Sequence, residues 1–147
     1  MDLTKNFPLR EMLRSQTATR LGFDEQFAPS QDIINNLRLL CENVLQPLRE
    51  SLGRGVFVNS GYRAPRTNEA VGGSKTSQHL SGQAADIEVG HLTIEQLYQR
   101  IKNSGLPFDQ LIQEFDQWVH VSYNAAGGRK QCLRAVRENG RVRYIPD

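Results

Sequence analysis

Apolar residues recur at helical spacing between Pro29 and Gly53, where Ile33, Ile34, Leu37, Leu40, Cys41, Val44, Leu45 and Leu48 form one stripe. A stripe of that period marks a helix that buries one face. Ser30 is placed to cap its start, Gly53 and Gly55 close it, and Pro47 is expected to kink it near its end because proline has no backbone donor. A second stripe, Ile94, Leu97, Tyr98 and Ile101, follows Thr93 and Gln96 at capping-box spacing and stops before Gly105 and Pro107. Phe7 to Leu13, with Pro8 in its first turn, predicts a short N-terminal helix.

The remaining apolar positions have the period of strands. Val56-Phe57-Val58-Asn59 delivers Ser60-Gly61-Tyr62-Arg63 at its end, and Pro65 to Gly73 reads as a polar loop with one helical turn at Arg66 to Ala70. Ala84 to Val89 alternates, which sends Ala85, Ile87 and Val89 to a core and leaves Ala84, Asp86 and Glu88 on the other face. Leu111–Phe115 and Trp118–Tyr123 form a hairpin, as do Cys132–Val136 and Arg141–Tyr144 around Asn139-Gly140. These elements predict an α+β fold. A chain of 147 residues with 38% hydrophobic content makes a single domain over 1–147.

Charge and cysteines narrow the classes. A net charge of +2 lacks the excess of a dedicated nucleic-acid binder. The basic run Arg129, Lys130, Arg134, Arg137, Arg141 and Arg143 reads as a solvated strand face. Cys41 and Cys132 are far apart, without C-x-x-C spacing, and are expected to be free thiols. The start Met1 to Asn6 has no continuous apolar stretch and no segment reaches membrane-spanning length, which predicts cytoplasmic synthesis and no membrane insertion.

The candidate chemistry lies in His79 and Asp86, seven residues apart, and in His120. Two imidazoles and a carboxylate supply the three protein ligands of a catalytic zinc site, which leaves a fourth position for water. His91, just before the Thr93 cap, reads as a loop histidine outside this set.

Four motifs in order, Ser60-Gly61-Tyr62-Arg63, Val71-Gly72-Gly73-Ser74, Ser77-x-His79-x-x-Gly82-x-Ala84-x-Asp86 and Trp118-x-His120, resemble the zinc peptidases of the D-alanyl-D-alanine carboxypeptidase type. That family includes phage lysins and shares its zinc-site layout with the hedgehog signalling domain. The resemblance implies a small antiparallel sheet that carries the zinc site and packs against two or three helices. It also implies one Zn2+ ion held by His79, Asp86 and His120, and a monomer that acts on peptidoglycan stem peptides. The activity expected is trimming of D-alanyl-D-alanine termini or, as a lysin released to the wall or carried on a virion, a cut within the stem. The alternative is a zinc-stabilised binding module that does not turn over.

In such a family the base precedes the last histidine by three residues in many peptidases and by six in the hedgehog layout, which here points to Gln117 or Glu114. Gln117 cannot accept a proton as a base. Strand parity favours Glu114: a two-residue turn at Asp116-Gln117 sets Gln113 beside His120, whereas a three-residue loop pairs Glu114 with Trp118 and Ile112 with His120. Asp116 is the second candidate. Arg63 is expected to stabilise an oxyanion or carboxylate. Ser77, Trp118 and Tyr62 are expected to contact substrate, with Gln78 a weaker candidate of the same kind.

Overall fold

The computed structural model describes residues 1–147. In chain order the elements are β1 (Asp2–Thr4), β2 (Phe7–Pro8), α1 (Leu9–Leu13), α2 (Gln16–Leu21), α3 (Gln31–Leu40), α4 (Gln46–Leu52), β3 (Val56–Ser60), α5 (Pro65–Ala70), β4 (Ala84–Val89), α6 (Ile94–Lys102), β5 (Gln110–Glu114), β6 (Trp118–Ser122), β7 (Gln131–Glu138) and β8 (Arg141–Pro146). Six strands form one sheet in the order β3-β4-β6-β5-β7-β8, and β1 and β2 pair separately. The α+β fold expected from the sequence is the one observed.

The sheet has two unlike faces. Val56, Val58, Ala85, Ile87, Val89, Leu111, Val119 and Val121 point to one side and join Leu37, Leu40, Val44, Leu45, Leu48, Leu97, Tyr98 and Ile101 of the helices in the main core. Period-two alternation then leaves Asp86, His120, Ile112 and Glu114 together on the opposite face. The strands that carry these residues, β3 to β6, pair antiparallel as expected. Beyond them β7 runs parallel to β5. Strand β6 lies between β4 and β5, so the chain leaving it finds both flanks taken and adds at the open edge of β5 instead.

The long helical stripe is realised as α3 and α4 joined by a wide π turn over Cys41–Leu45. Pro47 therefore sits in the first turn of α4, directly after the π turn, and that turn takes the place of the expected kink. The N-terminal helix begins two residues later than expected, at Leu9, because Phe7 and Pro8 pair in β2 and Pro8 is extended (φ −72°, ψ 148°) at the position before the helix. Helix α2 was not foreseen, although Ser15 caps it by accepting the N–H of Ala18 at 3.0 Å and Gly22 ends it in the left-handed conformation. The capping box at Thr93 and Gln96 forms as read. No helix is long and apolar enough to cross a membrane.

Candidate active site

One cross-strand pair builds half of the site. Asp86 on β4 stands opposite His120 on β6. Directly opposed side chains start only about 5 Å apart at Cβ, so the register alone delivers a carboxylate and an imidazole to one spot. His79 arrives from a single 3-10 turn, Gln78–Ser81, entered where Ser77 Oγ accepts the His79 N–H at 3.1 Å and left at Gly82 with φ 73°. A Cβ at Gly82 would come within 2.9 Å of the Ile33 carbonyl oxygen on α3, so this turn also needs glycine for space.

The three side chains meet at Asp86 Oδ1, which is 3.2 Å from His79 Nε2 and 3.1 Å from His120 Nδ1. All three residues are at most 8% exposed. Their donor atoms lie within 4.8 Å of one another, close enough to hold a metal ion. His79 Nδ1 is 2.7 Å from the Gly61 carbonyl oxygen, an acceptor that keeps the ring proton on Nδ1 and leaves the Nε2 lone pair facing Asp86. Two acceptors facing each other at that distance require a cation or a proton between them. Burial raises the Asp86 carboxyl, but the two histidines outweigh it and hold it well below the usual carboxylate range. The donor set of two imidazole nitrogens and an anionic oxygen fits zinc.

Glu114 stands on the same face, one register step along. Ile112 pairs with His120 and Glu114 with Trp118, the pairing that a three-residue loop demands. Phe115 and Asp116 take φ 60° and 56°, and the Gln117 N–H donates to the Glu114 carbonyl at 2.9 Å. Glu114 is half-buried, and its Oε1 accepts the Trp118 indole N–H at 2.8 Å. Burial, together with the Asp86 charge, raises the Glu114 carboxyl, while His120, the Trp118 bond and His79 pull the other way. Asp116 is bonded to the side chain of Gln113 instead, and Gln113 pairs with Val119 on the core face. Gln117 is exposed.

Arg63 closes the other side. Its backbone N–H donates to the His79 carbonyl at 3.0 Å and its guanidinium reaches Ser77 Oγ at 3.5 Å. Its Nε is buried without a partner, a donor left for something else. Burial lowers the guanidinium pKa against the opposing charges of Asp86 and Glu114. Tyr62 is packed with the main core at 8% exposure, which leaves little of its side chain for the substrate contact expected of it. Its backbone N–H donates to the Met12 carbonyl at 2.8 Å.

Two contributors were not read from the sequence. Gly61 supplies the acceptor that orients His79, and it already stood inside a quoted motif. Asp109, 2% exposed, binds Arg129 through its N–H, Nε and a terminal nitrogen, and accepts from Gln78 Nε2 at 2.9 Å, which ties the turn before His79 to the β6–β7 connection. No local pattern announces that contact. Half of the basic run is ion-paired within the fold: Arg129 with Asp109, Arg134 with Glu95 and Asp147, and Arg143 with Glu138. His91 is exposed in the turn before α6, and both cysteines are free, as expected.

Comparison with known proteins gives the same direction. Residues 5–122 match the family model described as peptidase M15. Over 62 residues the chain is 37% identical to the zinc D-Ala-D-Ala carboxypeptidase of Streptomyces albus G, a stretch covering 42% of this chain and 24% of that relative. The alignment thus spans about a quarter of that protein's length.

Proposed function

The chain belongs to the peptidase M15 family, and from that premise we propose that it is a zinc-dependent hydrolase of peptide bonds in peptidoglycan stem peptides. The observation that carries the reading is the placement of Glu114 on the sheet face of the His79, Asp86 and His120 cluster, one register step from His120. A structural zinc site has no use for a half-buried carboxylate with a raised pKa at that spot.

Zinc, when bound by these three side chains, acidifies water and polarises a carbonyl. The chain's own residues do the rest. Glu114 takes the proton of the attacking water at Oε2, because Oε1 is held by Trp118, and returns it to the departing amine. Arg63 turns its guanidinium toward the oxyanion that develops on the scissile carbonyl, where a preorganised cation is worth most. Ser77 sits between Arg63 and the His79 backbone, placed to fix the substrate beside the metal ligands.

The test is mass spectrometry of muropeptides after incubation with the zinc-loaded wild type and with Glu114→Ala. Loss of one terminal D-alanine identifies a carboxypeptidase, and a cut within the stem identifies a lysin-type endopeptidase. Glu114→Ala is expected to lose about 10²–10⁴-fold in rate. A wild type that binds zinc yet cuts neither bond overturns the reading in favour of a non-catalytic zinc module.

A further inference from the structure

The match to the family ends at residue 122, before β7 and β8 begin. These strands nevertheless extend the face that carries the site. Across the sheet one row of side chains runs Trp118, Glu114, Ala135, Tyr144, each opposite the next on neighbouring strands. The row beside it runs Asp86, His120, Ile112, Leu133, Pro146. Tyr144 is thus the aromatic residue that ends the row of the proposed base, separated from Glu114 by a single methyl side chain.

We propose that Tyr144 is a substrate-contacting residue whose ring flanks the site on the Glu114 side and packs against the stem-peptide residue bound there.

Three observations carry this. Ala135 is 1% exposed, packed with Ile112, Leu133 and Phe115, and Tyr144 is its cross-strand partner. Tyr144 is itself 53% exposed, on an edge strand that also carries the charged Arg141 and Arg143. An exposed aromatic there leaves apolar area uncovered in the row of the proposed base. The third is electrostatic: beyond burial, the charges of both Glu114 and Asp86 raise the Tyr144 hydroxyl, as expected of a residue in the row of Glu114. The base-bearing turn is moreover docked on the same hairpin, since the Phe115 N–H donates to the Ala135 carbonyl at 3.1 Å and Arg137 stacks 4.4 Å from the Phe115 ring centre. The hairpin therefore both supports Glu114 and offers the next surface a bound peptide would meet.

The inference rests on the peptidase reading, and the experiment separates the two. Zinc-loaded wild type, Tyr144→Ala, Tyr144→Phe and, as a control on the same strand face, Val142→Ala are assayed for KM and kcat on a purified stem peptide. Binding of that peptide to Glu114→Ala, with and without Tyr144→Ala, is measured by calorimetry. Tyr144→Ala is expected to raise KM and Kd about tenfold, equivalent to about 1.4 kcal/mol, with kcat, zinc content and Tm little changed. Tyr144→Phe keeps the ring and is expected to recover most of that loss, and Val142→Ala to match wild type. Turnover by wild type with unchanged KM and Kd in Tyr144→Ala overturns the role of Tyr144 alone, as does a Phe variant as weak as Ala. Absence of both turnover and peptide binding in the parent proteins overturns the peptidase reading and this inference together.

Discussion

Gly61 should be the most sensitive position in the chain that makes no contact with substrate through a side chain. A Cβ built there would collide with the Met12 carbonyl oxygen and come within 3.0 Å and 3.1 Å of the Met12 Cα and carbonyl carbon. All three are backbone atoms, so no side-chain rotation relieves the clash, and either α1 or the end of β3 must shift. The same residue holds the acceptor for His79 Nδ1 at 2.7 Å. Gly61→Ala is therefore expected to act twice. Overpacking costs about 1–3 kcal/mol, which at about 2–4 °C per kcal/mol for a chain of this size lowers the Tm of the metal-free protein by about 2–12 °C. Displacing the acceptor frees the His79 ring, and losing such an outer partner weakens metal binding by about 10–100-fold.

The assay is thermal denaturation without metal, alongside zinc titration against a competing chelator. Gly55→Ala is the control, because nothing lies within 4 Å of a Cβ there and its backbone is not in the left-handed region. It is expected to change stability by no more than about 0.5 kcal/mol. Gly61→Ala with wild-type zinc affinity would refute the claim that the Gly61 carbonyl orients His79, and an unchanged Tm would refute the packing argument.

Trp118→Phe removes the indole donor that favours the charged form of Glu114, so the Glu114 carboxyl should rise further and the acidic limb of the kcat/KM profile should move to higher pH; a limb that stays or moves down contradicts the base assignment. Zinc at a hundred times its Kd should stabilise the wild type by about 2.7 kcal/mol, and Asp86→Asn, which removes the shared anionic oxygen, should abolish that gain in a thermal shift assay. Glu95 is held down to about 2 from 4.5, chiefly by its bonds to Arg134. A depressed folded-state pKa gives stability present above the unfolded value and lost as pH falls through the folded one. The Tm advantage of wild type over Glu95→Gln should accordingly shrink between about pH 4.5 and pH 2, and an advantage constant over that range would show that the Glu95–Arg134 pair contributes nothing on folding.

What was legible in the sequence is what short-range periodicity controls. Alternation along Ala84–Val89 assigns Asp86 to the face away from the core, and loop parity between Glu114 and Trp118 fixes which carboxylate shares that face with His120. Motif proximity to Arg63 says nothing about which way Tyr62, outside a strand, points, and it packs with the main core. The parallel docking of β7 on β5 and the clamp of Asp109 on Arg129 and Gln78 join segments far apart in sequence, so no window of the chain contains both halves. Helix α2 has caps at both ends, but its six residues are too few for a stripe to stand out.

The position of the base shows how such constraints combine. Gln117, three residues before His120, is exposed at the hairpin tip because the loop spends three residues on the turn. Two of them, Phe115 and Asp116, adopt left-handed φ values, a conformation that costs a bulky residue such as Phe about 1 kcal/mol or more. A two-residue turn with glycine would avoid that strain, yet it would rotate the pairing by one residue and set Gln113 beside His120 with Glu114 in the core. The strain is therefore the condition for having a carboxylate on the metal face at all. The fold offsets it locally: Asp116 bonds Gln113 through both its side chain and its N–H, and the Phe115 N–H reaches Ala135 on β7. The hairpin tip is held by Gln113 of its own strand and by β7, and β7 is the partner of the strand that carries Tyr144.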